Sequence, residues 1–344
     1  MKALVLEGDK ELIYRDVDEP QRPGPEWALV KVAFAGICNS DIHRGFGGGA
    51  YRYPLVMGHE FSGTVIEAPT GSGYAAGDAV TAFPLIPCRT CDACRSGEYA
   101  QCSSYDYLGS RRDGAFAERV WVPAANLFRV PVGVELLHAA LTEPCAVARH
   151  AASKADLPPR ATVAVFGGGP IGNMAAQWFR ASGAARVIVA DVDGRKLELA
   201  RSMGFEPLDA GAGDPVAELR KRTGGSGVDA ALEAVGLPLT YRQVLACVRR
   251  GGQAVLMGNI RGGLSLEERE VSSLLRREVT IRGTWNSSVA PEGANDWTES
   301  LARMGCGIEI APLVSHVAPL AEGPDLFRRL IGGGEYFAKV VFTP

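Results

Sequence analysis

The stretch from Thr162 to Asp191 constrains this chain more than any other. Thr162-Val-Ala-Val-Phe166 is a continuous β-branched and aromatic run and reads as a buried strand. Gly167-Gly-Gly-Pro-Ile-Gly172 follows it and fits the pattern G-x-G-x-x-G. Ile171, Met174, Ala175, Trp178 and Phe179 then fall on one face of a helix that Gly183 stops. Arg186-Val-Ile-Val-Ala-Asp191 reads as the next strand and ends in an acid nineteen residues after the last motif glycine. A glycine motif alone is weak evidence. Between a strand and a helix, with that terminal acid, it is a dinucleotide-binding fingerprint. Gly167, Gly169 and Gly172 let the backbone approach a pyrophosphate. Pro170 and Ile171 open the helix whose N-terminus attracts the phosphate charge. Asp191 is placed to accept hydrogen bonds from ribose hydroxyls and would repel a 2′-phosphate, so NAD is expected over NADP. The bland alternative for Asp191 is a cap on a helix from Gly194 to Met203.

The alternation continues. Val216–Arg222 and Leu239–Arg249 read as helices; Val228–Val235, Gln253–Met257 and Val279–Gly283 read as strands. Strands and helices in turn imply an α/β, doubly wound sheet. Ligands of such sheets lie beyond the strand ends. Val235 and Gly258, at strand ends, and Arg195, just after Asp191, are therefore further coenzyme candidates.

Upstream the pattern is different. Trp27–Phe34, Gly63–Glu67 and Asp78–Thr81 are short β-rich runs broken by Pro20, Pro23-Gly24-Pro25 and Gly71-Ser-Gly73. This is expected to be an all-β, barrel-type region, closely packed at Gly36, Gly58 and Gly63. Arg119–Val122 reads as a strand, and Leu136–Ala152 as a helix interrupted at Glu143-Pro144. Pro158-Pro159 marks a junction. The tail from Pro291 should hold two helical stretches and a final strand, Phe337–Phe342, that rejoins the first domain.

Inside this upstream region stands Cys88-x2-Cys91-x2-Cys94-x7-Cys102. Four thiolates at this spacing can wrap one tetrahedral zinc in a closed, structural site. A redox pair or chance clustering explains the third and fourth cysteines poorly. A second group is spread more widely: Cys38, then Gly58-His59-Glu60, then Glu143-Pro144-Cys145. Thiolate, imidazole and carboxylate are zinc ligands, and three of them leave a position open for substrate. Singly, each is more often a core cysteine or a satisfied histidine.

Composition narrows the partners. A net charge of −3, with only two arginines inside the cysteine lobe, argues against nucleic acid and anionic membranes. No apolar run is long enough to span a bilayer, and the first residues lack a signal-peptide core. Eight cysteines, four of them clustered, suit metal ligation in a reducing cytoplasm better than disulfides.

Taken in order, Cys38-x-Ser40-Asp41-x-His43, Gly58-His59-Glu60, the cysteine lobe, Glu143-Pro144 and the glycine motif resemble the zinc-dependent medium-chain alcohol and polyol dehydrogenases over the whole chain. Gly109-Ser-Arg-Arg-Asp-Gly-Ala-Phe-Ala-Glu118 and Gly283-Thr-Trp-Asn-Ser are similar to the galactitol-1-phosphate 5-dehydrogenase branch. The resemblance implies a GroES-like β-barrel catalytic domain over residues 1–150, with the zinc lobe at 86–104. It implies a Rossmann NAD domain over 151–284 and a return to the catalytic domain over 285–344. Cys38, His59 and Glu143 would hold a catalytic zinc, with Glu60 behind them or exchanging with Glu143. Cys88, Cys91, Cys94 and Cys102 would hold the second zinc. Ser40 would take the alcohol proton and pass it toward His43. Asn39 stands where the family usually has glycine, and Asn also tolerates positive φ.

The implied function is NAD-dependent oxidation of a secondary alcohol in a polyol or sugar-alcohol phosphate, by a homodimer or homotetramer. Arg111, Arg112 and Trp285 are the substrate candidates, one arginine holding a phosphate. If the arginines lie on an extended strand, at most one faces the cleft. The alternatives are an unphosphorylated polyol, a cyclitol or aminocyclitol, or threonine; a non-enzymatic binding protein is the remaining class.

Overall fold

A computed structural model describes residues 1–289 and 294–344. The chain divides into two compact units. Met1–Ala146 with Ser287–Pro344 forms one, and Val147–Asn286 forms the other.

The unit Val147–Asn286 is built on six parallel strands. Their spatial order is Glu206–Asp209, Arg186–Asp191, Thr162–Phe166, Val228–Glu233, Val248–Leu256 and Thr280–Gly283. The winding reverses beside Thr162–Phe166, so its C-terminal end opens at the switch point of the sheet. Both faces of the central strands are covered, which is why Thr162–Phe166 is apolar without alternation. One expectation shifts. The helix ends at Cys247, and the strand begins at Val248 rather than Gln253. Gly251, with φ of 65°, and Gly252 sit inside it and hid the strand from a periodicity reading.

In the larger unit the long strand Trp27–Gly36 is the centre. It pairs antiparallel with Glu60–Glu67, Arg119–Pro123 and Lys339–Thr343. Its inward residues Val30, Val32 and Ala35 meet Phe61, Val120 and Phe342 in one core. The last strand thus joins the sheet of Trp27–Gly36, and beside it, in parallel, runs Val314–Pro319. That strand was not expected from the sequence. Only Ala318 in it is buried, its polar residues Ser315 and His316 are adjacent, and it ends in Pro319, so it carries little apolar signal. The expected tail began at Pro291, which lies outside the described residues.

Two further expectations are corrected. The region around Cys38 is not all β: Asn39–Phe46 is a helix. Asn39 opens it and is not among the described positive-φ residues, so no left-handed position is needed there. The expected helix at 136–152 is two, Leu136–Ala139 and Thr142–Ser153. Pro144 lies in the first turn of the second, where a missing N–H costs nothing because that donor has no helical partner.

Candidate metal and coenzyme sites

Cys38, His59 and Glu60 come together because of how two elements end. Cys38 is the N-cap of the helix Asn39–Phe46, and the carboxylate of Asp41 accepts the Cys38 N–H at 3.0 Å. His59 follows Gly58, whose φ is 91° and whose missing Cβ would lie 2.4 Å from the Phe116 ring. Only glycine delivers the chain to this point. Glu60 starts the strand Glu60–Glu67, opposite Gly36. The ligand atoms of Cys38, His59 and Glu60 all lie within 4.8 Å of one another.

The surroundings of this trio are built around charge. Asp41 is fully buried; it accepts from Arg44 at 2.9 Å and lies 3.4 Å from His59 Nδ1. Burial disfavours a charged imidazole, but Asp41, with the Cys38 sulfur, outweighs it and holds His59 well above its usual range. The pocket therefore calls for positive charge at its centre. Glu60 is gripped on one side only. Lys339 Nζ sits 2.5 Å from Glu60 Oε1, while Glu60 Oε2 is buried without a partner. An orphaned carboxylate oxygen beside a thiol and an imidazole fits a divalent zinc ion.

Glu143 lies close enough to the trio for His59, Glu60 and Lys339 to act on its charge. It is 7% exposed, and Tyr107 donates to its Oε1 at 3.4 Å. Burial pushes its carboxyl up to about 7, with the negative Glu60 adding to the effect and His59 opposing it. Of the four expected ligands, Cys38, His59 and Glu60 form the compact group, and Glu143, the expected exchange partner of Glu60, lies beside it. Cys145 is fully buried packing. Lys339 and Tyr107 escaped the sequence reading; a lysine in an apolar final strand was the available signal. The Tyr107 ring meets His59 edge-on at 5.7 Å.

Ser40 and His43 sit one turn apart on the helix that Cys38 caps, so they share a face. The His43 ring occupies the space over Gly47 and Gly49.

The sulfurs of Cys88, Cys91, Cys94 and Cys102 also lie within 4.8 Å of one another, and none forms a disulfide. Cys88 and Cys94 Sγ are 3.9 Å apart. Sulfurs placed about 2.3 Å from a central zinc on a tetrahedron would be separated by about 3.8 Å, so the cluster matches that ion. The Thr90 hydroxyl and nearby N–H groups draw the Cys88 thiol down to about 5. Burial pushes Cys94 up to about 12.

Arg111 and Arg112 are not on a strand. The N–H groups of Ser110, Arg111 and Arg112 all point at Tyr107 O, at 3.3, 3.0 and 3.1 Å, which makes this a tight turn. The strand rule for opposite faces therefore does not apply. Arg112 pairs with Asp106 at 2.8 Å and lies over the Trp27 ring. It lines a cavity of about 370 Å³, and Cys38, His59 and Glu60 are not on its walls. Arg111 is stacked on Tyr105 and Tyr51, at 4.1 and 5.0 Å. Tyr105 contacts Tyr107, which contacts His59, so a path of rings leads from Arg111 to the trio. Trp285 belongs to the other unit and is 53% exposed.

In the coenzyme unit Gly169 caps the helix Pro170–Ala181, with Pro170 at its first position and Ile171 next. A Cβ on Gly172 would lie 1.8 Å from Gly167 O, so only glycine lets the helix pack on the strand. Asp191 bridges the glycine turn and the loop after its own strand. Its Oδ2 accepts Gly168 N–H at 2.8 Å, and its Oδ1 accepts the N–H groups of Val192 and Asp193. The helix Gly194–Ser202 is capped instead by Asp193. Arg195 forks onto Asp193 at 3.0 and 2.9 Å. Val235 and Gly258 are held by one residue that the sequence did not single out, Glu233. Its Oε1 takes the N–H of Val235 and Gly236, and its carbonyl takes the N–H of Gly258.

Comparison with known proteins agrees with this geometry. The family "Alcohol dehydrogenase GroES-like domain" matches residues 24–132, and "Zinc-binding dehydrogenase" matches residues 170–305. Galactitol 1-phosphate 5-dehydrogenase of Escherichia coli (strain K12) is 33% identical, with 92% of each chain covered. A crystal structure of galactitol-1-phosphate dehydrogenase from Escherichia coli superposes with a TM-score of 0.93 at 30% identity, over 100% of both chains. L-galactonate-5-dehydrogenase of the same strain is 32% identical over 100% of this chain and 99% of its own. A zinc-binding dehydrogenase from Sinorhizobium meliloti 1021, solved bound to NADP, gives a TM-score of 0.91 at 31% identity, covering 100% and 99%. With both domain families matched along its length and a donor set suited to zinc in its larger unit, the chain belongs to the zinc-dependent medium-chain alcohol dehydrogenases and is an oxidoreductase of the polyol-dehydrogenase type.

Proposed function

We propose that this enzyme oxidises a secondary alcohol of a sugar-alcohol phosphate to the ketone with NAD, and runs the reverse reduction. The observation that carries the reading is the trio Cys38, His59 and Glu60, with Glu60 Oε2 buried and without a hydrogen-bond partner. Zinc held there would act as a Lewis acid that eases loss of the substrate hydroxyl proton, and NAD takes up the hydride. The chain's own residues do the rest. Lys339 anchors Glu60, Asp41 orients His59 and the helix start at Cys38, and Tyr107 donates to Glu143. Ser40 receives the hydroxyl proton, and His43, one turn on and exposed, releases it to water.

NAD is preferred in this reading because Asp191 already accepts three N–H groups, leaving about one lone-pair site for a ribose hydroxyl. A carboxylate there repels a 2′-phosphate; Arg195 is committed to Asp193, and Lys196 Nζ lies 3.5 Å from Asp191 itself. Arg111 is the candidate for the substrate phosphate, since Arg112 faces another cavity. A second reading takes a free polyol or sugar acid, as the name L-galactonate-5-dehydrogenase of one relative suggests. Its support is that one nitrogen of Arg111 already donates to Tyr105 O at 2.5 Å. NADH formation with matched phosphorylated and free polyols tests both. A preference for the free compounds overturns the phosphate reading and leaves the dehydrogenase reading standing.

The enzyme is read as a homo-oligomer. Thr280–Gly283 is an open sheet edge with Ile281 46% exposed, and Leu275 nearby in sequence is 73% exposed. Light scattering after gel filtration checks this; a monomer at micromolar concentration would refute it. The unpaired thiols suit a reducing cytoplasm. No helix among the described residues is long and apolar enough to cross a membrane.

A further inference from the structure

The coenzyme unit carries a concentration of guanidinium groups that the dehydrogenase reaction does not use. The helices Pro215–Arg222, Pro238–Cys247 and Glu268–Arg277 enclose a pocket of about 240 Å³. Arg220, Arg242, Arg269 and Arg277 line it, and Glu270 is the one carboxylate among its lining residues. Arg242 is forked onto Glu270 at 2.9 and 3.0 Å, and Arg269 pairs at 2.9 Å with Glu267. Arg220 and Arg277 have no carboxylate partner among the described residues. Both turn to backbone oxygens around the end of Pro238–Cys247: Arg220 to Ala246 O at 3.1 Å, and Arg277 to Leu245 O and Val248 O at 2.9 and 2.5 Å, with Arg277 Nε also donating to Ser273 Oγ at 3.1 Å.

Capping a helix end explains part of this, but not the amount of charge. A helix C-terminus carries about half a negative charge. Two unpaired guanidiniums bring two positive charges, and Arg250 lies close enough to act on Arg277 as well. Burial, with Arg220 and Arg250 adding and Cys247 opposing, draws the Arg277 guanidinium below its usual range. Leu245 and Leu274 form apolar wall, which strengthens any charge interaction inside. The remaining N–H groups of Arg220 and Arg269, and the Ser273 hydroxyl, are donors for an oxyanion.

We propose that this pocket binds a small phosphate-bearing anion, at a site separate from the glycine-motif coenzyme site. Guanidinium forks match phosphate oxygens in geometry as well as charge. The volume falls below the roughly 300–1,000 Å³ of pockets that enclose drug-sized ligands, so the occupant is compact.

The test is calorimetric titration of inorganic phosphate into the zinc-loaded enzyme saturated with NADH, at ionic strength held constant with chloride. NADH keeps phosphate out of the coenzyme's own pyrophosphate site. Binding should be saturable in wild type and about tenfold or more weaker in R220Q, the loss of one charge-assisted hydrogen bond. R269Q should weaken it similarly. Arg269 is 81% exposed at its side chain, so this variant keeps the test alive if R220Q fails to fold. K221Q, on the same helix but outside the pocket lining, should bind as wild type. Absence of saturable binding overturns the proposal. So does binding that survives both arginine changes, or that falls equally in K221Q, which would show a diffuse surface field.

Discussion

Lys339 Nζ lies 2.5 Å from Glu60 Oε1 and 2.9 Å from Ile37 O, and the two side chains are 6% and 0% exposed. They are 279 positions apart in the chain and meet because the last strand pairs with the strand that ends at Gly36. Removing one partner of a buried pair costs about 3–5 kcal/mol, since the other charge remains. Lys339→Met should therefore lower the melting temperature by roughly 6–15 °C. Because Glu60 is then free to turn, the variant should also lose zinc from the Cys38 site more readily in a chelator challenge. A variant that matches wild type in both would show that the lysine neither supports the fold nor aims Glu60.

Metal content separates the two cysteine groups. Fully active enzyme should contain two zinc ions per chain. Cys91→Ser should yield protein that melts early and aggregates, because a closed four-thiolate site contributes folding energy. Cys38→Ser should stay folded, lose one zinc and lose turnover. Active wild type with a single zinc would refute the two-site reading.

Asp191 carries two roles that can be told apart. Asp191→Asn keeps the side-chain shape and can still accept the Gly168 N–H, but it loses the charge that repels a 2′-phosphate. NADP should gain relative to NAD by about tenfold, measured as the ratio of kcat/KM values. Asp191→Ala leaves the Gly168 N–H without its acceptor and should weaken both coenzymes, NAD more. An unchanged ratio in Asp191→Asn would reduce Asp191 to a structural bridge.

The two adjacent arginines should behave differently. Arg111→Ala is expected to raise KM for a phosphorylated polyol by about one to two orders of magnitude, the loss of a charge-assisted contact. The matching free polyol should be nearly unaffected. Arg112→Ala should leave both KM values in place and cost stability only, through Asp106 and Trp27. Equal effects of the two substitutions on the phosphorylated substrate would argue against the ring path to Tyr107.

Thiol reactivity should follow burial. Cys306 is exposed, whereas Cys247 is fully buried and pushed up to about 12 by burial. Iodoacetamide on native enzyme at pH 8 should modify Cys306 and spare Cys247, read by peptide mass spectrometry. The unfolded thiol titrates near 8.5. Above that pH the unfolded chain binds fewer protons than the native one, so this group lowers stability as pH rises toward 12. Cys247→Ala should remove that part of the alkaline slope, seen as a smaller fall in melting temperature from pH 8 to 10. An unchanged slope would mean that Cys247 ionises in the native state as it does in the unfolded one.

Local chemistry made much of this protein legible in its sequence. The strand Thr162–Phe166, the glycines at 167, 169 and 172 and the strand ending in Asp191 follow each other closely enough that spacing alone specifies the turn. The four cysteines between 88 and 102 likewise close on one point because a short loop leaves them little choice. What spacing could not decide lies where distant segments meet. Glu60, Glu143 and Tyr107 all carry groups that fit the metal site, and how they meet Cys38 and His59 depends on the pairing of Gly36 with Glu60 and on the contact of Tyr107 with Glu143. The turn at Tyr107 set the directions of Arg111 and Arg112, which no periodicity encodes. Lys339 was invisible as a functional residue because a lysine in a final strand is ordinarily solvated. Only the pairing of that strand with Trp27–Gly36 takes it out of water and sets it against a carboxylate, where burial makes its charge matter.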